Sequence, residues 1–208
     1  MILLVGVMII PISDIYKVFA QERVISIIPV EDNPVGVAYN PSYNNVYVAN
    51  HGSNTVSVIN ENNVVVDTIP VGDSPFGIAY NADNGNMYVT NLFSDTVSVI
   101  DDSNVVVDTI PVGNGPIGVA HNEGNGNMYV TNFISRSLSV SDENNVVVDT
   151  IVVRGLPSGV EYNPSYNNMY VTLFSSESVL VLNEDNVVVD TIVVGFSPFF
   201  IEYNCFVA

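Results

Sequence analysis

Two histidines, His51 and His121, and 22 carboxylates are the groups that could do chemistry here, set against four basic side chains, Lys17, Arg23, Arg136 and Arg154. Acid–base or nucleophilic catalysis needs a base held beside a nucleophile or a second titratable group. His51 lies in Asn50-His51-Gly52-Ser53-Asn54, and no comparable loop carries a histidine. His121 stands where Tyr39, Tyr80, Tyr162 and Tyr203 stand, so it fills a scaffold position. Serine and aspartate recur throughout the chain, so a Ser-His-Asp set has no distinctive spacing. Cys205 is the only cysteine, which leaves neither a disulfide framework nor a cysteine metal cluster. No catalytic residue is assigned, and the expectation is a protein that is not an enzyme.

The carboxylates are grouped in short polar stretches: Glu61, Asp101-Asp102, Asp142-Glu143 and Glu184-Asp185. Oxygen donors of this kind suit Ca²⁺, but each stretch offers two or three, and none has EF-hand spacing. They read as solvated turn residues, and no cofactor is expected. Asp67, Asp108, Asp149 and Asp190 each precede a threonine and are expected to hydrogen-bond within their own units. A net charge of −18 argues against nucleic acid and anionic bilayers, whose recognition needs Lys and Arg. It permits a basic partner and keeps an exported surface soluble.

The elements that must position these groups are written in a repeat. Tyr47-Val48-Ala49-Asn50, Tyr88-Val89-Thr90-Asn91, Tyr129-Val130-Thr131-Asn132 and Tyr170-Val171-Thr172-Leu173 return every 41 residues, in step with Pro34, Pro75, Pro116, Pro157 and Pro198. A period of about 40–45 residues that reads as four short strands is the mark of a propeller blade. In each unit the spacing predicts four strands. In the second complete unit they cover 76–80, 86–90, 96–100 and 105–110. The first carries a fixed glycine (Gly36, Gly77, Gly118, Gly159), which suits the innermost strand, where backbones converge. The fourth, Val-Val-Val-Asp-Thr-Ile, is assigned to the outer edge. Asn-rich turns close the hairpins, and Gly and Pro mark the links between units.

On these motifs the chain resembles the YVTN family of β-propeller repeat proteins of surface-layer and secreted proteins, over about 24–204. The resemblance implies an all-β propeller of four-stranded blades. It marks a scaffold rather than an activity, since propellers host many roles. A lyase or lactonase role, known in related propellers, would place a site at the channel mouth near His51 and Arg136. The expected units start near residues 34, 75, 116, 157 and 198, within a repeat domain over 21–208. Four are complete. A lone fourth strand is expected over 23–30 and a lone first strand over 197–204. This reads as an open arc or a truncated propeller, with self-association through open blade edges as one outcome and a non-functional fragment as another.

Residues 2–12 form an apolar run too short to span a bilayer, and Val18-Phe19-Ala20 resembles a cleavage site. The expectation is a signal peptide over 1–20, a mature chain with no membrane span, and an extracellular or cell-surface location. The loops joining second to third strands vary most among the units and share a face with the blade links. Their residues His51, Leu92, Phe93, Phe133, Ile134, Arg136 and Phe174 form the candidate binding face, for a protein or surface partner. The competing expectation is that the phenylalanines turn inward as core.

Overall fold

A computed structural model describes residues 26–203. Those residues form sixteen strands and no helix. The first blade is β1 (Pro34–Asn40), β2 (Asn45–Asn50), β3 (Thr55–Ile59) and β4 (Val65–Pro70). The second is β5 (Pro75–Tyr80), β6 (Met87–Asn91), β7 (Thr96–Ile100) and β8 (Val106–Pro111). The third is β9 (Pro116–Asn122), β10 (Asn127–Asn132), β11 (Ser137–Ser141) and β12 (Val147–Val152). The fourth is β13 (Pro157–Asn163), β14 (Asn168–Leu173), β15 (Ser178–Leu182) and β16 (Val188–Val193). Each blade is an antiparallel meander in sequence order. The expected strands are met to within a residue or so at most ends.

Blades stack because one face of each presents side chains to the next. Tyr47, Val56, Val58 and Ile69 of the first blade pack with Met87, Val89 and Ile100 of the second. Tyr88, Val97, Val99 and Ile110 meet Val119, Met128 and Val130 one blade later. Burying each such side chain favours the stack by about 1.5–3 kcal/mol.

The inner strands approach so closely that only glycine fits. A Cβ on Gly36 would lie 2.1 Å from the Phe76 carbonyl oxygen, and one on Gly77 would lie 2.1 Å from that of Ile117. Beside them, Thr90 Oγ1 donates to Ile117 O (2.8 Å) and Thr131 Oγ1 to Ser158 O (2.7 Å). Farther out, Tyr47 Oη donates to Asn104 Oδ1 (2.8 Å), Tyr88 to Asn145 (2.8 Å) and Tyr129 to Asn186 (2.6 Å). Asn104, Asn145 and Asn186 adopt φ of 60°, 62° and 62°. Asparagine tolerates that left-handed conformation and supplies the bridging amide as well. Asp108 and Asp149 each bond the next residue's amide, as expected, and each also accepts from an asparagine of the following blade (3.0 and 3.1 Å).

The fourth strands lie outermost. Val64, Val66, Val105, Val107, Val146, Val148, Val187 and Val189 are all exposed along them.

The arrangement is an open arc: among the described residues nothing covers the first blade's outer face, and residues 197–203 cover part of the fourth's. Two expectations are corrected here. Ser26–Val30 joins no sheet, the rest of the expected N-terminal strand falling outside the described residues. Residues 197–203 form no ladder either, because the strand that would pair with them is missing from the described residues. They still run where a fifth inner strand would run, since Thr172 Oγ1 donates to Phe199 O (3.2 Å) as Thr131 does to Ser158 O. The expected signal peptide over 1–20 lies outside the described residues. Among the described residues no helix is long and apolar enough to cross a membrane.

Candidate functional site at the axial mouth

The loops between second and third strands are anchored from below. The amides of His51, Leu92, Phe133 and Phe174 donate to the carbonyls of Asn33, Ser74, Gly115 and Leu156 at 2.9–3.0 Å. Each of these acceptors sits in the link just before the blade's own first strand. The candidate residues therefore ride on a rigid frame.

Aromatic rings collect at the mouth of the axis. The His51 ring lies 6.0 Å from Phe76 and 6.4 Å from Phe93. Phe133 lies 6.1 Å from Phe174, which lies 5.9 Å from Phe199. Phe199 in turn lies 6.2 Å from Phe76, so the cluster crosses from the second blade to the C-terminal segment. Of the expected face, His51, Phe93, Phe133 and Phe174 belong to this cluster. Phe93 is 67% exposed, while Phe133 and Phe174 are half-buried, so neither a wholly exposed patch nor an inward core describes them. Leu92 is half-buried on its loop. Ile134 and Arg136 are exposed and take no part in the ring contacts.

Phe76, on β5, and Phe199, in the C-terminal segment, lie outside the loops that define the expected face. The residue after each unit's proline reads Val35, Phe76, Ile117, Ser158, Phe199, and that variation was the available signal.

Below the mouth, the inner strands enclose an axial groove of about 510 Å³, lined by Val37, Ile78, Val119, Val160, Glu161 and Glu202 among others. The two glutamates occupy the place of Ala38, Ala79 and Ala120. Burial raises the Glu161 pKa to about 7, against the bond from the Tyr162 amide and with added repulsion from Glu202. The folded state then holds this proton more tightly than the unfolded chain does. Its contribution to stability is complete below pH 4.5 and lost as pH rises through about 7. Urea unfolding of Glu161→Gln should show a gain over the parent of about 1–2 kcal/mol at pH 8, reduced from the full shift by solvent screening. The gain should shrink at pH 5; an equal gain at both pH values would exclude the ionisation as its source.

His121 is buried on β9, at the position Tyr39, Tyr80 and Tyr162 hold in the other blades, with Nε2 3.2 Å from Asp83 Oδ2. Burial lowers its pKa, and Asp83 opposes that shift. The carboxylates of Asp101 and Asp142 accept backbone amides two and four residues on, closing their turns. The Val146 amide holds the Asp142 pKa below the usual range. Among the described residues no three His, Cys, Asp or Glu side chains are grouped to hold a metal ion.

No protein-family model matches the chain, and no curated protein matches it in sequence. Solved structures do match. Hydrazine synthase from Kuenenia stuttgartiensis superposes with a TM-score of 0.73 at 21% identity, over 85% of this chain and 53% of that one. Virginiamycin B lyase from Staphylococcus aureus gives 0.69 at 14% identity, over 77% and 55%. A functionally unknown protein from Desulfotomaculum acetoxidans gives 0.69 at 18% identity, over 86% and 63%. The fold is a β-propeller. The chain spans about half the length of the first two structures.

Proposed function

We propose that this chain is an exported, YVTN-type propeller that acts as an interaction module at the cell surface or outside the cell, binding through its axial mouth. The aromatic cluster of His51, Phe76, Phe93, Phe133, Phe174 and Phe199 carries this reading. Aromatic side chains on a rigid frame supply contact area at low entropic cost, and such patches mark binding surfaces. The strongly acidic surface adds a preference for a basic partner and disfavours nucleic acid. A lyase or hydrolase reading has less behind it. The His51 ring is flanked by two phenylalanines, and among the described residues its Nδ1 has no hydrogen-bond partner to orient it as a base. The lyase among the structural neighbours shares the fold at low identity, which does not transfer a site.

A displayed random-peptide library, selected on the immobilised protein, should yield peptides that combine aromatic or aliphatic residues with Lys or Arg. Phe93→Ala should weaken them by about tenfold or more, the loss of one well-packed aromatic anchor. Its melting temperature should not change, because Phe93 is largely exposed. No enrichment, or equal binding by the variant, would overturn the reading.

A further inference from the structure

The two ends of the arc present complementary halves of the blade interface. On the fourth blade, Tyr170 occupies the place of Tyr47, Tyr88 and Tyr129, which are buried and bonded to the following blade's asparagine. Tyr170 is only half-buried. Ile192 occupies the place of Ile69 and Ile110, and is 41% exposed where they are 4% and 3%. Asp190 occupies the place of Asp108 and Asp149, whose Oδ2 atoms accept from that same asparagine.

The first blade presents what these groups lack. Val37 and Tyr39 occupy the places of Ile78 and Tyr80, which pack on the preceding blade, yet they are 67% and 52% exposed. Asn63 occupies the place of Asn104, Asn145 and Asn186, with the same left-handed backbone (φ 59°).

Part of the fourth face is already covered. The segment 197–203 copies β1 in register, with Phe199 O, Pro198 O and Tyr203 Oη bonded to Thr172, Ser158 and Ser165. Its hold consists of such side-chain bonds and the ring contacts of Phe199, without a ladder, and it leaves the outer part of the face uncovered. It also bars a further blade from stacking beyond it. Phe200 stands where Gly36, Gly77, Gly118 and Gly159 stand. Those glycines admit the next strand's carbonyl to within 2.1–2.8 Å of a Cβ position, a space that a phenylalanine fills. A blade that reaches the fourth face must therefore replace the segment.

We propose that the occupant is the first blade of a second copy of this chain, with its β1 taking the place of residues 197–203 and its Asn63 bridging Tyr170 and Asp190. Each copy offers one donor and one acceptor face, so the contact is head-to-tail and closes when the last face meets the first. Two copies supply eight blades, within the range of about 4–8 that propellers use. The segment is then an intramolecular competitor that holds the face in the monomer.

Sedimentation velocity of the full chain over about 1–200 µM tests this by mass action. The expected species is a concentration-dependent dimer of twice the 22.5 kDa chain mass. Val37→Asp, at an exposed site, should hold the protein monomeric with unchanged thermal unfolding. Asn63→Ala should weaken the dimer by at least about tenfold, the loss of two bridging hydrogen bonds at each of its two contacts. A variant ending at residue 196 should dimerise more tightly than the parent. A monomer throughout, a dimer indifferent to both substitutions, or open chains longer than two copies would each overturn the proposal.

Discussion

Gly77→Ala is expected to destabilise the protein by about 3 kcal/mol or more, enough to leave a large unfolded fraction at moderate temperature. The added methyl would lie 2.1 Å from the Ile117 carbonyl oxygen and 3.2 Å from Thr90 Oγ1. Neither neighbour is free to retreat. The carbonyl belongs to the inner strand of the next blade, and the hydroxyl accepts from the Gly77 amide (2.8 Å) while donating to that carbonyl (2.8 Å). Relief requires the second and third blades to separate. That breaks the bridge and loosens the cluster of Tyr88, Val97 and Val99 against Val119 and Met128. Gly195→Ala is the control. Nothing lies within 4 Å of its Cβ position, so the change should fall within about 0.5 kcal/mol of neutral. Urea titration of both variants makes the comparison; similar losses at the two sites would refute the close-approach argument.

Asn132→Leu is expected to cost about 2–3 kcal/mol, and adding Ser139→Leu should recover at least about 1 kcal/mol of it. The Asn132 amide is buried and donates to Ser137 Oγ (3.2 Å) and Ser139 Oγ (2.9 Å). Asn50 with Ser57 and Asn91 with Ser98 repeat the arrangement at 2.9 and 3.0 Å. The fourth blade departs from it at both positions together. Leu173 replaces the asparagine, Leu180 replaces the serine, and both are buried. The protein therefore holds two solutions at one site, one polar and one apolar. A mixture sets the Ser139 hydroxyl against a hydrocarbon side chain and leaves it only the long bond from the Gly113 amide (3.3 Å), and burying a poorly partnered hydroxyl is unfavourable. A thermodynamic cycle over the parent, both single variants and the double variant measures the coupling. Simple additivity would mean that the two positions act independently.

Most of the scaffold was legible in the sequence because each blade repeats the same local signals. The prolines and the Tyr-Val-Thr-Asn strings set the strand order, and the glycine two residues after each of the first four prolines marked the innermost strand. The asparagines ahead of each outer valine run marked left-handed turns. What could not be read was anything that joins distant units. Phe76 meets Phe199 across the axis, and no local pattern relates two residues in non-adjacent repeats. The side-chain partners of the turn asparagines also lie in the preceding blade, so their bridging role was hidden. Glu161 and Glu202 do carry a local signal, the replacement of alanine by a charged residue at a fixed place in the repeat. The two segments that flank the four blades differ from expectation for a related reason. A strand-like sequence forms a strand only when a neighbour pairs with it, and among the described residues, 26–30 and 197–203 join no ladder.

The exposed valines of β4, β8, β12 and β16 give the molecule an unusual dependence on acidity. Four apolar rims with free backbone donors and acceptors face outward, each a template for pairing with a neighbouring molecule. What keeps molecules apart is mutual repulsion between highly anionic bodies, since the rims themselves carry little steric protection. Neutralising the carboxylates near the isoelectric point of about 4.1 removes that repulsion while leaving the sticky edges in place. Mild acidification should therefore drive rim-to-rim precipitation of folded protein before it drives unfolding.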